Sequence, residues 1–159
     1  MSIRQLSRRQ TMLGLATILA TTSGASLAAS GQAAAPNLLR IVKDPNCGCC
    51  VTWAELAVEA GFDIEVSETS DYGGMKRAAN VPEALWSCHT ARIGGYVIEG
   101  HVPFAAIRHL LDQRPDITGI AVPGMPDGSP GMGGGVDATA RVTAWGGTAG
   151  AAHPFAFES

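Results

Sequence analysis

The chain has 159 residues, of which 46% are hydrophobic and 16% charged. That supplies one buried core, excludes wholesale disorder, and leaves too little length for two comfortable domains. The formal net charge is −3 at pH 7, which argues against nucleic acid as a partner, because phosphate binding needs a basic face.

The first stretch reads as an export leader. No acidic residue precedes Asp44; Arg4, Arg8 and Arg9 form a positive start, and Thr11 to Ala20 form a short apolar run. Small residues follow, with Ser26-Leu27-Ala28 and Ala33-Ala34-Ala35 as cleavage sites. A membrane span needs about 20 consecutive apolar residues. This run is broken earlier by Thr21, Thr22, Ser23 and Gly24, so a cleaved signal is expected over an uncleaved anchor, with no stable membrane span afterwards. Ser7-Arg8-Arg9-Gln10 with Met12 and Leu13 resembles a twin-arginine export signal, although Thr11 stands where an aromatic residue is usual. Residues 1–35 are therefore assigned to the signal and its junction, and residues 36–159 to a single domain. Loss of the three leader arginines leaves eight basic side chains against fourteen acidic ones, a charge near −6.

Leu38 to Val42 is an apolar run of strand length, stopped by Asp44-Pro45-Asn46, which offers helix-capping side chains. From Cys50 onward Trp53, Leu56, Ala57 and Ala60 recur at helical spacing, and Gly61 ends the helix. Phe62, Ile64 and Val66 alternate with Asp63, Glu65 and Ser67, as in a strand with one buried face. Asp71 to Asn80 is a shorter helix loosened by Gly73 and Gly74. Cys88 to Ile93 and Tyr96 to Glu99 flank Gly94-Gly95, a pair suited to a two-residue hairpin turn. Pro103 opens a helix that carries Phe104, Ile107, Leu110 and Leu111 inward and stops at Arg114-Pro115. The resulting order, β-α-β-α-β-β-α, is an α/β, thioredoxin-like plan. Ala121 to Gly135 is a Pro/Gly/Met-rich loop, and Arg141 to Trp145 can pair with Pro154 to Phe157 as a C-terminal hairpin.

The chemistry is concentrated in sulfur. Cys47-Gly48-Cys49-Cys50 sits where the first strand hands over to a helix, and backbone N–H groups at a helix start stabilise a thiolate. The thiolate is both the nucleophile of disulfide exchange and the form that binds metal. Cys47 and Cys50 have the spacing of a redox Cys-x-x-Cys pair. A plain oxidoreductase has no need of Cys49, whereas a soft metal cluster uses all three. Cys88, just before the hairpin, supplies a fourth. Four thiolates suit Cu(I), zinc or an iron–sulfur centre, and an even cysteine count in an exported chain also admits two structural disulfides. Further candidate ligands are His89, which follows Cys88, His101 after the hairpin, and Met125 and Met132, whose thioethers are soft donors. Trp53 and Trp86 are expected in the core, Trp86 close enough to Cys88 to shield it. No Gly-x-Ser-x-Gly elbow and no phosphate-binding glycine loop is present.

Lys43 to Cys50, Val81-Pro82, Ser87-Cys88-His89-Thr90-Ala91, Gly94 to Pro103, Ala121 to Pro126 and Gly128 to Met132 together resemble the small CopG-type proteins, grouped as domain of unknown function 411. The likeness runs from Leu38 to Met132. After it, Gly133-Gly134-Gly135 and an alanine-rich tail replace the more charged ending of the family. The resemblance implies a thioredoxin-like fold, a periplasmic location and a role in copper resistance, with a copper redox activity also proposed for such proteins. It implies copper bound by Cys47, Cys49, Cys50 and Cys88, and other periplasmic copper-handling proteins as partners.

Overall fold

In the computed structural model, which describes residues 37–158, the apolar run becomes β1 (Leu38–Lys43), followed by α1 (Gly48–Glu59) and β2 (Asp63–Glu68). The leader expected over residues 1–35 lies outside the described residues. Next come α2 (Tyr72–Ala78), a 3-10 turn at Glu83–Leu85, β3 (His89–Ile93), β4 (Tyr96–Glu99) and α3 (Phe104–Gln113). Three short strands complete the chain: β5 (Gly119–Ala121), β6 (Thr143–Trp145) and β7 (His153–Pro154). The seven strands form one mixed sheet in the order β2-β1-β3-β4-β5-β6-β7. Strands β1 and β2 are parallel across the α1 crossover, β3 and β4 are an antiparallel hairpin, and β5 returns parallel to β4 after α3. Among the described residues, no helix is long and apolar enough to cross a membrane.

Alternation along the strands sends side chains to two separate cores. Leu39, Ile41, Ala91, Ile98 and Ile120 meet Trp53, Ala57, Phe104, Ile107 and Leu110 from α1 and α3. On the opposite face Val97, Ala121 and Trp145 meet Ala79, Val81 and Leu85 beside α2. The hairpin forms as its glycines require: Gly94 and Gly95 have φ of 56° and 94°, values that side chains resist and that a tight two-residue turn demands. The expected final hairpin is present in shortened form, Thr143 pairing with Pro154 and Ala144 with His153.

Four details depart from the sequence reading. Strand β5 was hidden beside the Pro/Gly-rich loop; its three residues carry no pattern of their own, and pairing with β4 and β6 creates the strand. Asp44 and Asn46 do not cap α1. Asp44 Oδ1 instead accepts the Asn46 N–H at 2.7 Å, and Cys47 occupies the N-cap with no side-chain hydrogen bond. Strand β2 buries little: Ile64 is half-buried and Val66 is 46% exposed. Val66 pairs with Ile41 on the α1 face of this outermost strand, while on the opposite face the seven-residue α2 leaves a groove of about 560 Å³ over Val42, Ser67, Met75 and Thr90. Finally, Trp53 is fully buried, but Trp86 is half-buried and packs on the α2-side core.

Candidate metal centre

The β1–α1 junction is held rigidly before any cysteine is reached. The Lys43 ammonium, buried at the end of β1, donates to the Asp44 carbonyl at 3.2 Å and to Glu68 at 2.8 Å. The Asp44 carbonyl then accepts the Cys47 N–H at 3.1 Å. With extended backbone at Cys47 and no acidic residue in the first turn of α1, the unpaired N–H groups of the helix start favour negative charge on the sulfurs gathered there.

Cys47 and Cys50 are joined as a disulfide, their Cα atoms 5.4 Å apart across one helical turn, inside the range a disulfide accepts. Cys49 and Cys88 are free. Cys49 Sγ stands 3.6 Å from Cys47 Sγ and 3.6 Å from Cys88 Sγ, so it bridges the helix start and the strand that follows 39 residues later. All four sulfurs lie within 4.8 Å of one another, and among the described residues this is the one group of three or more cysteine, histidine or carboxylate side chains so gathered. The donor set is entirely soft and anionic when reduced, which fits Cu(I) and also admits zinc.

Burial pushes the Cys88 thiol up to about 12, reinforced by its contact with Cys49 and opposed by Ser87 and the nearby Lys76 ammonium. In the metal-free, disulfide-bonded protein, alkylation of Cys88 should therefore keep rising with pH beyond 9, by roughly tenfold per unit, until about 12. A rate that levels off near pH 9 would contradict this. The folded thiol keeps its proton to about 12 against an ordinary 9.0, so its contribution to stability is complete below 9.0 and is lost as pH climbs toward 12.

The other sequence candidates fall in two places. His89 and His101 are fully buried, outside the four-sulfur group. His89 packs on the Trp53 indole, ring centres 4.5 Å apart, one turn along α1 from Cys50. Burial lowers the pKa of both rings, His89 well below 6.5, with His101 and Lys76 lowering it further; for His101 a hydrogen bond to the Pro130 carbonyl partly opposes the shift. Met125 is 58% exposed and Met132 half-buried in the loop that wraps the site. That loop is fastened on both sides. Ser87 Oγ donates to the Gly124 carbonyl beside Cys88, while Gly131 lies so close to α1 that a Cβ there would stand 2.9 Å from Trp53 N and 3.1 Å from Cys49 O. Only glycine fits this approach, and its φ of 78° reinforces the requirement.

Sequence reasoning missed the support behind Cys88. Lys76 and Glu99 form an ion pair in which both side chains are 0% exposed. Glu99 also accepts the Ser87 N–H at 2.7 Å and the Thr90 hydroxyl at 2.6 Å, so the backbone just before Cys88 hangs on a buried carboxylate. The available signal was Glu99 itself, a charge ending the otherwise apolar strand Tyr96-Val97-Ile98.

The description "Protein of unknown function, DUF411" belongs to the family whose profile matches residues 85–132. No curated protein matches the chain. Two solved structures are similar to it, "Copper resistance protein copG- Form 1" and the corresponding Form 2, each at 38% identity and a TM-score of 0.68. The first comparison covers 78% of this chain and 98% of the other, the second 79% and 100%. With that identity sustained over nearly the whole of both relatives, the chain belongs to the CopG family, DUF411.

Proposed function

We propose that this is an exported, periplasmic copper-binding protein whose thiolates Cys47, Cys49, Cys50 and Cys88 hold Cu(I) when all four are reduced. The observation that carries this reading is the convergence of four sulfurs within 4.8 Å, in a family whose solved members are named copper resistance proteins. Sulfur donors without an accompanying carboxylate select soft, monovalent copper over hard cations. Reduction of the Cys47–Cys50 disulfide takes two electrons and two protons from a thiol reductant; binding of copper then displaces thiol protons. Other periplasmic copper-handling proteins are the partners this role requires.

The thioredoxin-like reading of residues 36–159 rests on the parallel β1–α1–β2 unit, the β3–β4 hairpin in the same sheet, α3 packed beside α1, and cysteines at the first strand-to-helix junction. Residues 1–35 serve in this reading as the cleaved signal, on the twin-arginine route. The deciding experiment is elemental analysis of protein isolated from the periplasm, with a thiol count before and after reduction. Copper in protein that already counts four thiols, with two thiols rising to four on reduction in the metal-free fraction, supports the proposal; zinc, or no metal after reduction and anaerobic loading with Cu(I), overturns it. The disulfide at the helix start favours one rival, a thiol–disulfide oxidoreductase using Cys47 and Cys50. It requires turnover of a model disulfide in metal-free buffer that survives Cys88→Ser.

A further inference from the structure

We propose that His89 and His101 form a second copper position, a buried two-imidazole site for Cu(I) that contains no sulfur. The choice of copper as the ion rests on the thiolate reading; the donor pair does not. His101 Nδ1 lies 2.7 Å from the Pro130 carbonyl oxygen. A carbonyl only accepts, so Nδ1 carries the hydrogen and Nε2 carries the lone pair of a neutral ring. An imidazolium at this depth, without a carboxylate against it, would be costly. Fixing one ring nitrogen by a backbone carbonyl is how proteins orient an imidazole that ligates through the other.

That other nitrogen, His101 Nε2, has no hydrogen-bond partner among the described residues, and neither has Nδ1 or Nε2 of His89. Both residues are 0% exposed. Each orphaned buried polar group costs about 1–3 kcal/mol, so two neighbouring lone pairs left bare are unexpected in a well-packed core. The rings stand 5.2 Å apart, centre to centre, at 74°. An ion held at about 2 Å from one nitrogen of each ring separates the ring centres by roughly 5 Å at an N–ion–N angle of about 110° and by roughly 6 Å when the three atoms are linear, so the observed spacing fits a bent site.

The surroundings choose the ion. Trp53, itself packed on Phe104, walls His89 on the α1–α3 face. The nearby carboxylate of Glu99 is already committed to Lys76, Thr90 and Ser87. Zinc asks for four donors, and a buried divalent charge without a counter-charge is prohibitive. A monovalent ion carries half that charge and asks for fewer donors, so two neutral nitrogens serve it better than they would zinc. Trp53, which touches His89, follows Cys50 by one turn of α1, and His89 follows Cys88 directly in the chain. The imidazoles thus form a deeper layer behind the sulfurs.

The test removes the sulfurs. The full chain carrying Cys47→Ser, Cys49→Ser, Cys50→Ser and Cys88→Ser is titrated anaerobically with chelator-buffered Cu(I). One equivalent should bind, X-ray absorption should show nitrogen but no sulfur neighbours, and adding His101→Gln should weaken binding by about 100-fold or more. A thiol-free protein with wild-type circular dichroism that takes up no Cu(I), or binds equally well after His101→Gln, overturns the proposal. If that variant does not fold, ¹⁵N-labelled wild-type protein is loaded with Ag(I) beyond the capacity of its thiols. Silver coupling on a ring nitrogen of both His89 and His101 supports the site, and unperturbed imidazole resonances overturn it. Failure of the thiolate reading is separately visible, as loss of copper–sulfur scattering in the wild-type protein.

Discussion

Replacing Lys76 by methionine should cost about 3–5 kcal/mol of unfolding free energy, the penalty for stranding one member of a buried ion pair. Both side chains are completely buried, and the Glu99 carboxylate is too enclosed to recover a solvent partner. Burial lowers the Lys76 pKa even though Glu99 pulls it upward, which shows how dearly this ammonium is desolvated. Its remaining contacts are the Thr90 hydroxyl at 3.2 Å and the face of Tyr72, 4.3 Å from the ring centre. The double variant Lys76→Met, Glu99→Gln should regain a large part of the loss, because no uncompensated charge then stays inside. Denaturant unfolding of the three proteins checks this. Equal stability of Lys76→Met and wild type would mean that the pair is not buried in solution.

The second large effect concerns copper. In the reduced protein, Cys49→Ser and Cys88→Ser should each lower Cu(I) affinity by about 100-fold or more, since a hydroxyl is a hard, neutral replacement for a soft thiolate. Cys49 is the central donor, 3.6 Å from sulfur on either side. Cys88 is the contribution of a separate segment, without which the centre is merely a helix start. If the four act as one centre, the double variant should lose less than the two single losses combined. Competition against a Cu(I) chelator measures all three. Unchanged affinity for Cys88→Ser would remove it from the ligand set.

Much of this architecture was legible because its causes are local. Gly94-Gly95 announces its turn through backbone freedom, and Trp53, Ala57 and Ala60 announce α1 through spacing. Cys47, Cys49 and Cys50 need no tertiary information to be neighbours. The illegible parts are those decided by distant chain. Lys76 and Glu99 are separated by 23 residues, and nothing in the short helix Tyr72–Ala78 says that its lysine points inward. The carbonyl that orients His101 comes from Pro130 in a loop without regular structure. The exposure of Val66 depends on β2 being the outermost strand of the sheet, a fact about the neighbours of β2 that alternation within it does not encode.

The two margins of the sheet have a consequence for how copies of this chain can meet. Strand β2 is an outermost strand carrying the exposed side chains of Asp63, Glu65 and Glu68, the last two paired with Arg40 and Lys43, so a second copy approaching to extend the ladder meets a charged margin. At the far margin β7 is only two residues long, and one is Pro154, which has no N–H to offer a newcomer. Among the described residues, neither rim invites strand addition by a second copy.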